Sequence, residues 1–504
     1  MPSPTDPFDP VETTVADVHA AMKEGRVTAR ALVDRYLARI AAYDDGLNAV
    51  LAVNPDASER ADRLDARFEH DGLTGPLHGI PLLLKDNHDT HDMPTTAGAV
   101  ALADSTPPRD AVVVSRLREA GAVVLGKTNL QELAFGVDTI SSLGGATRNA
   151  YDRDRRPGGS SGGTAAAVAA NLAVAGTGTD TCSSVRSPPA FNDLVGVRPT
   201  RGLVSRTGIV PLSETQDTAG PIARTVADAA RLLDVLAGYD PADPVTARGV
   251  DRVPPDGYVS HLDPDGLDGA RIGVARQFFG PRNPANASAA DAAAVTEVID
   301  EAVAEMAAAG ATIVDPVDVV DLDELASARV LTDEFARDFR AYLSELGDAT
   351  PHETLADVYE TGTIAPSIAS RLEEYDVLGA DVESLDENAG YLRRLRRRRR
   401  LADETLARFA DHDLDALLYP PSRVPPVEIP ANQPFGEMNC DLAAHTGLPA
   451  FVLPAGFTDD DLPVGLELLG RPFAEPRLFE LAAGFEQATD HRRPPEGFGR
   501  LDDA

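Results

Sequence analysis

Residues 158–174 read GGSSGGTAAAVAANLAV: two glycine pairs enclose Ser160 and Ser161, and an alanine-rich run follows at once. Glycines let the backbone turn tightly and approach other groups closely, while alanine is the strongest helix former. The stretch therefore predicts a glycine-rich turn that opens a helix over Ala165–Val174. A phosphate loop would end in Gly-Lys-Ser/Thr, but Gly163 is followed by Thr164 with no lysine. Gly-x-Ser-x-Gly with either serine at its centre also fits the nucleophile elbow of α/β-hydrolases, which must follow a buried strand. Tyr151 to Pro157 are mostly charged, so no such strand leads in. A plain flexible loop is disfavoured by the helix that starts directly after the glycines.

Outward from this turn, short apolar runs alternate with helical patterns. Ile80–Leu84, the amphipathic Ala111–Glu119 and Ala122–Leu125 precede it. Pro221–Leu236 reads as a helix, and Ala270–Arg276, the helix Ala289–Ala308 and Ala311–Val314 as a strand–helix–strand unit. Leu414–Tyr419, Ala450–Pro454 and Val464–Leu469 are late strands, closed by a helix over Pro476–Ala488. This rhythm is that of an α/β fold. The first 70 or so residues are helical, with Thr28 capping a helix whose apolar positions are Leu32, Val33, Tyr36, Leu37 and Ile40. Residues 315–410 are mainly helical and highly charged. Tyr239–Leu267, rich in Asp, Pro and Gly, reads as a surface excursion rather than a domain linker, and the polar tail from Asp490 as loose.

Of 504 residues 43% are hydrophobic and the net charge is −35. The apolar content permits a large core and argues against disorder, and the acidity argues against direct nucleic-acid binding. The polar, proline-rich Met1–Asp9 has no leader pattern, and no run approaches the roughly 18 apolar residues of a membrane span. Cys182 and Cys440 are too few for a disulfide framework, so a reducing cytoplasm is expected. No histidine or cysteine cluster has metal spacing, and neither metal nor cofactor is implied. Lysine occurs only at Lys23, Lys85 and Lys127, with arginine supplying the rest of the positive charge. An acidic, lysine-poor, folded chain points to a proteome adapted to high salt, where screening over roughly 3 Å at about 1 M removes self-repulsion.

Two further segments bear on chemistry. In Gly79–Asn87 (GIPLLLKDN) an apolar run ends abruptly in Lys85. A solvated charge is the ordinary reading of a lysine. In a chain that uses arginine nearly everywhere, a retained lysine suggests a place where the proton must be lost, which arginine cannot do. The other segment is Gly178–Arg186 (GTDTCSSVR), where Ser184 lies 24 residues beyond Ser160.

Together these segments resemble the amidase signature family. The resemblance continues through Pro76–Pro81 (PLHGIP), Gly126–Asn129 (GKTN), Gly196–Thr200 (GVRPT), Gly202–Ser205 (GLVS), Thr215–Pro221 (TQDTAGP), Gly447–Pro449 (GLP) and Gly465–Gly470 (GLELLG). It covers about residues 10–240 and 410–490 and fades between them. It implies one α/β domain over 1–504: N-terminal helices to 75, a catalytic core over 76–240, a pocket-shaping region over 241–410, and closing strands and helix over 411–490. A central mixed sheet would be flanked by helices on both faces. It implies Ser184 as nucleophile, Ser160 as a bridging serine that the family holds in a cis peptide, and Lys85 as base. Backbone N–H groups of Thr181, Cys182, Ser183 and Ser184 would form an oxyanion hole, with Asp180 and Arg186 supporting the loop. An amide needs both an activated nucleophile and a proton for its leaving nitrogen, which a Lys85–Ser160–Ser184 relay would provide.

Cys182-Ser183 departs from the Gly-Gly that the family commonly places before its nucleophile. A left-handed backbone at either position would cost roughly 1–2 kcal/mol with a side chain present. Cys182 as a thiol nucleophile lacks a nearby activating histidine in the sequence; a small buried side chain is the plainer reading. Lys127 reads as a buried scaffold contact, Gln216 and Asp217 as braces of the same loop, and His445 as packing. The seven arginines of Arg393–Arg400 read as the solvated face of a helix with Leu392, Leu395 and Leu406 inside. The expected partner is a small-molecule amide. Oligomeric state is open, a homodimer being the candidate. A glutaminase subunit of a tRNA-dependent amidotransferase is the alternative within the same chemistry, although Thr215–Thr218 differs from the Ser-Leu-Asp-Gln associated with it. A catalytically silent scaffold is the alternative outside that chemistry.

Overall fold

Strands covered on both faces read as unbroken apolar runs, and Pro81–Lys85 is one: all five side chains are buried, the terminal lysine included. It lies within an eleven-stranded sheet. The spatial order is Val50–Val53, Val123–Thr128, Pro81–Lys85, Ala175–Asp180, Thr218–Ala223, Val195–Arg198, Ala450–Phe457, Pro463–Leu469, Ala416–Tyr419, Arg271–Val274 and Thr312–Val314. The computed structural model describes residues 8–380 and 382–501, so most of the polar stretch 1–9 and the last three residues fall outside it.

The sheet is mixed. Pro81–Lys85 runs parallel to both neighbours, as does Arg271–Val274, and the remaining pairs are antiparallel. Strands from both ends of the chain share this sheet, and helices flank it. The chain is thus one α/β domain, as the alternating pattern implies.

Parallel register sets the site. Leu84 pairs with Thr177, so Lys85 leaves its strand level with the Gly178–Asp180 end of the next. The glycine turn feeds the helix Gly162–Ala169, which is buried over its whole length. A Cβ on Gly163 would stand 2.2 Å from the Asn129 carbonyl oxygen, so only glycine lets this helix start against the end of the Val123–Thr128 strand. Gly163→Ala is expected to destabilise the protein by about 1–3 kcal/mol, the usual cost of overpacking; urea unfolding with a midpoint unchanged from wild type would contradict this.

Several expectations need correction. The helix read as Ala165–Val174 begins earlier and stops at Ala169, because Asn171 turns the chain at φ +58°. Pro221–Leu236 is not one helix: Thr218–Ala223 is a buried central strand, and the helix is Val226–Leu236 with Thr225 as its cap. The tail from Asp490 is tied down. Arg492 pairs with Glu12 at 2.9 Å, Phe498 is buried, and Arg39 donates to the Phe498 and Gly499 carbonyls. The Tyr239–Leu267 excursion is pinned by Tyr258, packed against Phe479 with ring centroids 5.7 Å apart.

Candidate active site

The Lys85 amine is fully buried and lies 2.7 Å from Ser160 Oγ and 2.8 Å from Thr179 Oγ1. Asn87 Nδ2 donates to the same threonine hydroxyl at 2.9 Å. Burial pushes the Lys85 amine down to about 7, against a smaller upward pull from Asp180 and Asp217. A buried ammonium has lost its hydration, and these carboxylates compensate only partly. Near neutrality this amine therefore holds or releases a proton with little bias. The Gly159–Ser160 peptide bond is cis.

Ser184 sits on the wall of a cavity of about 360 Å³, together with Thr181, Cys182 and Ser183. The Ser187 hydroxyl links this loop to the glycine turn, within 3.2 Å of the Gly159 carbonyl and 3.3 Å of the Ser183 carbonyl. Among the described residues Ser184 Oγ makes no hydrogen bond, and the backbone N–H groups of Thr181, Cys182, Ser183 and Ser184 find no protein acceptor. Four such donors in a row, beside a cavity, are free for a ligand oxygen.

The loop is braced on both sides of this free segment. Asp180 accepts from the Val185 N–H, from Arg186 at 3.1 Å and from Arg198 at 2.5 Å, all three side chains being fully buried. Burial alone would raise the Asp180 carboxyl, but Arg186 and Arg198 outweigh it and hold it below the usual range. Arg186 continues to Glu467 at 2.8 Å, which accepts from the Tyr419 hydroxyl. Thr181 donates to Asp217, and its carbonyl accepts from Gln216 at 2.9 Å.

Two participants were missed in the sequence. Thr179 holds the lysine amine, yet nothing in its residue type announces that. Arg398, from the arginine run, is buried rather than solvated and donates to Gln216 Oε1 and Thr215 Oγ1, so the long helix Ala389–His412 backs the same loop. Lys127 is buried in an ion pair with Asp86 at 3.0 Å, and His445 is buried beside Asp441.

The cysteine expectation is overturned. Cys182 and Cys440 form a disulfide, with Cα atoms 4.9 Å apart across a sequence separation of 258. Neither Cys182 nor Ser183 has positive φ, so the side chains standing in for Gly-Gly carry no left-handed strain. Two groups bring metal-ligating atoms together among the described residues. In one, the sulfurs of Cys182 and Cys440 are bonded to each other; in the other, Arg118 already pairs with both Asp92 and Asp110, at 2.7 and 3.0 Å. No described helix is long and apolar enough to cross a membrane.

A family model described as Amidase matches residues 31–479. The chain belongs to the amidase family. A probable amidase of Arabidopsis thaliana is 34% identical over 97% of this chain and 92% of its own length. A glutamyl-tRNA(Gln) amidotransferase subunit of Halorhodospira halophila is 37% identical over 97% and 99%. Among solved structures, the native peptide amidase of Stenotrophomonas maltophilia superposes with a TM-score of 0.86 at 40% identity, covering 97% of this amidase and 99% of that chain. The fold and the hydrolysis of amide C–N bonds follow from this membership. The rest of the cavity wall of this amidase is mainly apolar, with Phe135, Val137, Leu212, Leu331, Tyr375 and Phe435, and includes Arg329 and Arg371.

Proposed function

We propose that the chain is a stand-alone amidase in which Ser184 attacks the substrate carbonyl, Ser160 relays its proton, and Lys85 is the base. The observation that carries this reading is the buried Lys85 amine, 2.7 Å from Ser160 and poised near neutral pH. Hydrogen bonds between catalytic groups are commonly completed only when substrate is bound; the Ser184 hydroxyl makes no hydrogen bond among the described residues and is free to take up one to Ser160. The N–H groups of Thr181, Cys182, Ser183 and Ser184 then receive the carbonyl oxygen as it gains charge. Lys85, through Ser160, returns the proton to the leaving nitrogen, and water releases the acyl group as a carboxylate.

The largely apolar cavity favours an amide with an apolar or aromatic acyl group. Likeness to a peptide amidase over nearly the whole of both chains supports the stand-alone reading, with a peptide C-terminal amide among the candidates. The glutaminase alternative draws on likeness to the amidotransferase protein of Halorhodospira halophila. The acidic, lysine-poor composition supports assay in molar KCl. The test is ammonia release from a panel containing an aliphatic amide, an aryl amide, a peptide amide and glutamine. Turnover of an aryl or peptide amide by the isolated chain is the expected result. Release from glutamine alone, only with added partner subunits, overturns it.

A further inference from the structure

The free segment Cys182–Ser184 presents a mechanical problem. Hydrogen bonds anchor the loop before it, at Asp180 and Thr181, and after it, at Val185 and Arg186. The Ser183 carbonyl is held by the Arg186 and Ser187 N–H groups. The Gln216 bond to the Thr181 carbonyl holds the peptide plane that carries the Cys182 N–H, and the bonds to the Ser183 carbonyl hold the plane that carries the Ser184 N–H. The Cys182–Ser183 peptide between them makes no hydrogen bond among the described residues, and the disulfide on Cys182 is its nearest tether. The far end of that tether is rigid. Cys440 is fully buried at the start of the helix Asp441–Thr446, and its carbonyl accepts from Arg186 at 3.3 Å.

We propose that the Cys182–Cys440 disulfide is a positioning element of the reaction. It holds the Cys182–Ser183 peptide, and with it the Ser183 N–H, where the oxyanion develops, a task that needs donors fixed before the charge appears. This inference rests on Ser184 being the nucleophile. A general staple across the fold, stabilising by constraining the unfolded chain, is the competing account. The two differ in what opening the bond does at a temperature where the protein stays folded. Cys182 is partly exposed on the cavity wall while Cys440 is buried, so a reductant reaches the bond through the substrate cavity.

Dithiothreitol supplies the reduction. Its two thiols give up two electrons and two protons and close to a cyclic disulfide, while the protein S–S bond breaks and each cysteine sulfur takes a proton. The probe for the site is an alkyl fluorophosphonate, whose reaction with Ser184 is followed by intact mass. Three forms are compared: oxidised wild type, reduced wild type with two titratable thiols, and Cys440→Ala. The expected result is a fall of about 10–100-fold in the maximal labelling rate for the last two forms. The half-saturating probe concentration and the far-UV circular dichroism stay unchanged, and wild type alone recovers on reoxidation with oxidised glutathione. Protein already labelled at Ser184 is expected to be reduced more slowly, because the adduct covers Cys182. Equal labelling rates in the oxidised and reduced forms overturn this inference alone. So does a loss of rate that appears only with loss of fold in both altered forms, and so does a fully reactive purified protein with two free thiols. Absence of labelling in the oxidised form removes the nucleophile reading, and this inference falls with it.

Discussion

Ser184→Ala is expected to lower kcat by on the order of 10⁵–10⁶, the scale on which a serine hydrolase loses rate when its nucleophile is removed. The structure sharpens this in two ways. The Ser184 hydroxyl bonds to nothing else among the described residues, so its deletion leaves no buried partner unsatisfied. The stability change should therefore stay within about 0.5 kcal/mol, as for a substitution that breaks no network. Near-total loss of ammonia release in a protein with the wild-type unfolding midpoint separates chemistry from fold. Residual turnover above a few per cent of wild type would move the nucleophile elsewhere. Such a result would leave no obvious replacement on the wall: Cys182 is bonded to Cys440, and Ser183 faces Ser187 at 3.3 Å. A silent scaffold, the reading outside this chemistry, predicts that wild type and variant are equally inert.

Local pattern carried the parts of the fold that local forces decide. Ala289–Ala308 begins with a serine cap and an uninterrupted apolar period, and it is helical over that whole span. Thr218–Ala223 was illegible because TAGPIA has neither alternation nor β-branched density. Its conformation comes from the strands on both sides, with Thr179 paired to Ala219 and Gly196 to Ile222. Lys85 stands out because an apolar run ends on it in a chain nearly without lysine, whereas the roles of Ser160 and Ser184 come from the resemblance to the amidase signature family. The cysteine pair did not, since a contact across 258 residues leaves no trace in spacing. Arg398 lay between these cases. Tyr391, Arg398, Thr405 and Phe409 are all buried on one helix at intervals of seven, seven and four, a face that could have been read from the sequence. Composition hid it, because seven arginines within eight residues suggest solvent before they suggest a partner.

Lys85→Met is expected to lower kcat/KM by about 10²–10⁴, the range for loss of a general base, and to alter the pH dependence of both activity and stability. In the proposed relay the base works only as the free amine. Activity should fall as pH drops through about 7, where Lys85 takes up its proton, and level off above it. The variant should lose that limb. For stability the sign is worked out from proton counts. Between about 7 in the folded protein and the ordinary lysine value of 10.5, the unfolded chain binds the Lys85 proton and the folded protein does not. Stability then rises with pH, by up to about 1.4 kcal/mol per unit from this group. Below about 7 both states are protonated and the full penalty of burying the amine is present; above about 10.5 both are neutral and it is gone. Methionine carries no such penalty but forfeits the bonds to Ser160 and Thr179. Its stability relative to wild type should thus be highest in acid and decline steadily from about pH 7 towards 10.5. Urea unfolding at a series of pH values measures this directly. A difference that does not change with pH would mean that the amine keeps its charge on folding, and a charged amine at that position has no lone pair with which to begin the relay.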